Sequence, residues 1–178
     1  MQAARGFGAL ITGNRQAASY FDFSRRGLIG SLIALLLACT VTAFGPQFLG
    51  TVTPGAAPRA LLLDGMFYLL QIAVGYLVLR QLKREDGFVP FLVADNWATF
   101  FTSILSLIVM TMGLPADIAV LAVGLLVLLV EINIARLIVT LSPLQIAMFI
   151  VAQLVGSAVG LMILIALMPE MAGVAPPV

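Results

Sequence analysis

Five stretches of this chain, residues 27–48, 60–79, 90–112, 115–140 and 143–168, are each long and apolar enough to cross a lipid bilayer. A hydrocarbon core about 30 Å thick is crossed by about 20 helical residues rising ~1.5 Å each. Inside it the backbone must satisfy its own hydrogen bonds, which only helices and closed barrels do. The alternating strands of about ten residues that mark a membrane barrel are absent from the sequence. The fold expected is therefore an all-α integral membrane protein, a bundle of five antiparallel transmembrane helices. Composition agrees, with 62% apolar and 10% charged residues, against about 45–50% and 25% in soluble domains. The chain divides into an N-terminal segment 1–26, one membrane domain 27–168 and a short tail 169–178. Within its 178 residues, no stretch outside the spans is long enough for a separate catalytic domain.

The charges give an orientation. Arg5, Arg15, Arg25 and Arg26 precede the first span, Arg80, Lys83 and Arg84 separate the second from the third, and Arg136 closes the fourth. With five spans these eight share one side, and only Arg59 falls on the other. Basic residues are retained on the cytoplasmic side, so the N-terminus is expected in the cytoplasm and the C-terminus outside, in the periplasm of a bacterial inner membrane. The first 26 residues contain no apolar core typical of a signal peptide, and the first span reads as an uncleaved anchor. Phe7, Leu10, Ile11, Tyr20, Phe21 and Phe23 interleave with arginines there, a pattern that suits either an interfacial segment or a partly disordered tail. Asp22 or Ser24 is placed to cap the first span. Very short turns, MGLPAD and LSPLQ, predict that spans three and four, and four and five, pack side by side.

Polar side chains inside the spans carry the functional reading, because lipid disfavours them and they turn inward. Asp95, Thr99, Thr102 and Ser106 recur at i, i+4, i+7 and i+11, with Ser103 beside them, and form one stripe on an apolar helix. Asn96 lies about 100° round from Asp95, and Trp97 suits the interface. The fourth span runs the other way and brings Glu131 to a depth similar to Asp95, followed by Asn133 and Arg136. Asn133, Arg136 and Thr140 share a helical face, and Arg136 is expected to snorkel to the surface or pair with Asp95. The candidate polar cluster is thus Asp95, Asn96, Thr99, Thr102, Ser106, Glu131, Asn133 and Arg136. It reads either as a structural ion-pair seam or as a proton- or cation-sensitive site. Asp64 reads as an acid at the start of the second span.

Gln153, Gly156, Ser157 and Gly160 form a second stripe of small and polar residues, the pattern that lets helix backbones approach closely, either within the bundle or between copies. Gln71 lies at mid-depth in the second span. The chain has no histidine and one cysteine, Cys39, which excludes an internal disulfide and histidine-containing metal or haem sites. No phosphate-cradling loop, nucleophile elbow or basic nucleic-acid face is present, so no cofactor and no nucleic acid is expected.

The inner turn KREDGFVPFLVADNW, with Gly87, Phe88 and Phe91, and the five closely spaced spans resemble the Yip family of small five-span membrane proteins. That resemblance implies a non-enzymatic organiser whose eukaryotic relatives engage small GTPases and membrane traffic. It transfers no functional residue, and the N-terminal head is shorter than in many relatives. The first expectation is a non-enzymatic accessory, scaffold or assembly protein with the bilayer and a protein partner or homo-oligomer as its contacts. The alternative is a small transporter or an ion- or proton-permeation subunit using Asp95 and Glu131.

Overall fold

The computed structural model describes residues 2–50 and 56–167, which are helical apart from turns and contain no strand. The order is α1 (Gln2–Ile11), a 3-10 turn (Ala17–Tyr20), α2 (Arg25–Phe48), α3 (Ala56–Gln81), a second 3-10 turn (Glu85–Gly87), α4 (Phe88–Thr111), α5 (Ala116–Asn133), a π-helical turn (Ile134–Ile138) and α6 (Pro143–Leu167). Helices α2 to α6 are each long and apolar enough to cross a membrane and match the five expected spans to within a few residues. Most of the TVTPGAAP loop, the last residue of the fifth span and the tail 169–178 lie outside the described residues.

Local chemistry fixes the helix ends. Ser24 caps α2, its hydroxyl accepting the Gly27 amide at 3.3 Å, and Asp22 accepts the Ser24 amide at 2.9 Å. That bond holds the exposed Asp22 carboxyl below the usual carboxylate range. Gly27 is required beside this cap, because a Cβ there would stand 1.8 Å from the Asp22 carbonyl oxygen. Gly27→Ala should therefore displace the N-terminal segment at a cost of about 1–3 kcal/mol, read as faster tryptic cleavage at Arg15.

The spine of the bundle is α2 against α4, and α3 packs on α2 and on α6. Gly156 and Gly160 meet Val74, Leu70 and Phe67 of α3 without room for a Cβ, and Gly75 of α3 receives Gln153. The stripe of small residues is thus a seam inside the bundle, with Ser157 exposed beside it. That seam draws α6 to α3, so α5 and α6 barely meet despite their short connection. The expected side-by-side packing of spans four and five is corrected accordingly: a short turn brings two helix ends together, but the close glycine contact decides where the rest of α6 lies. At that turn Arg84 reaches across from the α3–α4 connection. Its guanidinium donates to the carbonyls of Val139 and Thr140 and to the Thr140 hydroxyl, the latter two at 3.0 Å. Thr140 is held at φ 59°.

The N-terminal segment is neither a tail nor a detached interfacial helix. α1 docks on α4 and α5, with Leu10 fully buried and the Phe7 ring stacked on Phe101 at 5.3 Å. An amphipathic helix of ten residues is marginal alone, and this burial is what orders it.

Candidate functional site

Asp95 sits seven residues into α4, about 10 Å from its start at the helical rise, and is only 3% exposed. Helical period carries Thr99, Thr102 and Ser106 along the same side, and all four line one cleft. Opposite them stand Glu131 and the valines Val123, Val127 and Val130 of α5, while α2 contributes Thr42 and α3 contributes Gln71. The cavity measures about 310 Å³.

The two acids face each other within hydrogen-bonding reach. Ionised carboxyls have only acceptor oxygens, so a bond between them requires one proton held by the pair. Glu131 keeps some exposure as a residue, yet its Oε2 is enclosed with no hydrogen-bond donor among the described residues. The neighbouring hydroxyls add acceptors. Thr42 donates its proton to the Ala38 carbonyl at 3.0 Å, and Ser103 donates to the Phe100 carbonyl at 2.8 Å, leaving oxygen lone pairs for the cleft. No lysine or arginine lines it. The result is an acceptor-rich, acidic cleft without a counter-charge from the described residues, which is suited to receiving a cation or a strong donor.

Three members of the expected cluster lie elsewhere. Asn96 turns away from Asp95, as its angular offset requires. It donates to the Ser31 hydroxyl at 3.0 Å and accepts from the Tyr68 hydroxyl, which ties α2, α3 and α4 together behind the cleft. Asn133 is buried under α1, donating to the Leu10 carbonyl at 2.8 Å. Arg136 is exposed and makes no ion pair with Asp95; the side-chain ion pairs among the described residues are Arg80–Glu85 and Arg84–Asp86. The π-helical turn Ile134–Ile138 is the physical reason. It changes the angular step after Asn133, so a face drawn with a regular helical period through Asn133, Arg136 and Thr140 does not exist. Asp64 is also corrected: it lies eight residues after the first described residue of α3, well inside the helix rather than at its start.

Thr42, Tyr68 and Ser31 belong to this region and were not expected. Ser31, Ala34, Ala38 and Gly45 recur at helical spacing along α2 as buried small residues, with Ser31 bonded to Asn96 and Gly45 against Leu107 of α4. That stripe was the available signal. Asn133→Leu should strand the Leu10 carbonyl, cost about 1–3 kcal/mol, and appear as faster hydrogen exchange confined to α1. The chain matches no family model, no curated protein and no solved structure, so the function must be argued from the geometry of this cleft.

Proposed function

We propose that this chain is a small non-enzymatic transporter or permeation subunit that takes up a small cation in the cleft between α4 and α5. The observation that carries the reading is the facing pair Asp95 and Glu131 in a cavity lined by acceptors and by no basic side chain. A packing seam alone does not need an acid-lined cavity, and an uncompensated buried acid is costly unless something pairs with it. The basic N-terminal side belongs to the cytoplasm on the positive-inside rule, and the setting that suits the chain is a bacterial inner membrane.

A scaffold or assembly role is the second reading. It is favoured by α6, which leaves most of its surface outside the bundle, available to lipid or to another helix. Cation-dependent flux in proteoliposomes separates the two. The carrier reading expects flux that needs both acids, whereas the scaffold reading expects none and a stoichiometric oligomer or complex in mild detergent.

A further inference from the structure

We propose, resting on the cation reading above, that the cleft is built for a primary ammonium carried on a short aliphatic body rather than for a bare metal ion or a proton alone. Size is the first argument. A volume of about 310 Å³ lies at the lower end of the ~300–1,000 Å³ typical of organic-ligand pockets and equals roughly ten water volumes of ~30 Å³.

The walls are the second argument. α4 presents Asp95 and the hydroxyl stripe with Ala98 among them, while α5 presents Glu131 beside Val123, Val127 and Val130, which offer no side-chain donor or acceptor. A bare ion coordinates oxygen in all directions and gains nothing from a valine wall. An alkylammonium matches both sides: its three N–H donors meet the carboxyl and hydroxyl oxygens, and its methylenes lie on the valines.

The third argument is donor balance. The Thr42 and Ser103 hydroxyl protons are already donated to helix carbonyls, and the enclosed Glu131 Oε2 is bonded to no donor. An ammonium supplies both a donor for that oxygen and a charge opposite to that of the two acids. The same chemistry is carried by a free amine and by an ethanolamine lipid headgroup.

The test is calorimetric titration of the full chain in nanodiscs of phosphatidylcholine and phosphatidylglycerol with methyl-, ethyl- and butylammonium, and with sodium. Each buried methylene tightens binding about fourfold, so butylammonium, with three more, should bind roughly sixtyfold more tightly than methylammonium. Val127→Thr, which keeps the shape of the side chain, and Val127→Phe, which fills space beside it, should each weaken butylammonium several-fold more than methylammonium. Discs containing phosphatidylethanolamine decide the source. Loss of butylammonium binding there assigns the ammonium to the lipid headgroup, and retained binding assigns it to a free amine; both agree with the proposal. Affinity independent of chain length, or unchanged in both Val127 variants, overturns it even if sodium binds in a manner dependent on Asp95 and Glu131. If no cation binds and Asp95→Asn and Glu131→Gln change nothing, the cation reading itself has failed.

Discussion

Asp95→Asn and Glu131→Gln are each expected to reduce cation-dependent flux in proteoliposomes by tenfold to a hundredfold. Each substitution keeps the side-chain shape and one acceptor oxygen but removes the charge. A hydrogen bond to a charged group contributes about 1.5–3 kcal/mol, and each ~1.4 kcal/mol is a factor of ten. The effect should be on transport rather than on folding. Two carboxyls can bond to each other only through a proton, and a carboxamide supplies N–H donors in place of that proton. Helix content and thermal unfolding should therefore stay close to wild type in both variants, which separates a site from a structural pair. Thr102→Val, which removes one hydroxyl from the same wall, should cost less than either acid. Unchanged flux in both acid variants would sink the carrier reading.

The second large effect is structural. Arg84→Ala removes the fork that bonds the Val139 carbonyl and the Thr140 carbonyl and hydroxyl, and should lower stability by about 2 kcal/mol. That value lies toward the low end for several charge-assisted bonds, because the Arg84 side chain is still 26% exposed and water takes up part of the loss. Arg84→Lys should recover little, since an ammonium cannot reproduce the planar fork. Asp86→Asn should be nearly silent, because the Asp86 side chain is 72% exposed and a surface ion pair contributes little. Thermal unfolding in a fixed detergent distinguishes the three. Because Arg84 fixes the end of the chain segment that carries Glu131, Arg84→Ala should also loosen the cleft, seen as weaker cation binding without any change to its lining residues.

How far these features can be read from the residues differs from one to the next. The five spans are legible because an uninterrupted apolar run of about 20 residues suits a bilayer crossing and little else. The stripe Asp95, Thr99, Thr102 and Ser106 is legible because α4 keeps a regular period through it. Arg136 is misplaced by the same rule, since the π-helical turn that breaks the period has no marker in composition, whereas Asn133, two residues past Glu131 in regular α5, already lies about 200° round from it. The separation of α5 from α6 is also hidden. It depends on a glycine seam choosing α3 over a more apolar α5 and on an arginine from a distant turn, and both are tertiary choices. α1 shows an intermediate case: the alternation of arginine and apolar residues announces an amphipathic helix, but not that its partner is the junction of α4 and α5.

Infrared difference spectroscopy of the full chain in nanodiscs, with and without butylammonium, reads the protonation of Asp95 and Glu131 itself. If Asp95 and Glu131 hold one proton between them and give it up to an arriving cation, ligand addition removes a protonated-carboxyl band, and Asp95→Asn and Glu131→Gln each abolish that change. A carboxyl spectrum unaltered by butylammonium and by sodium would contradict the account.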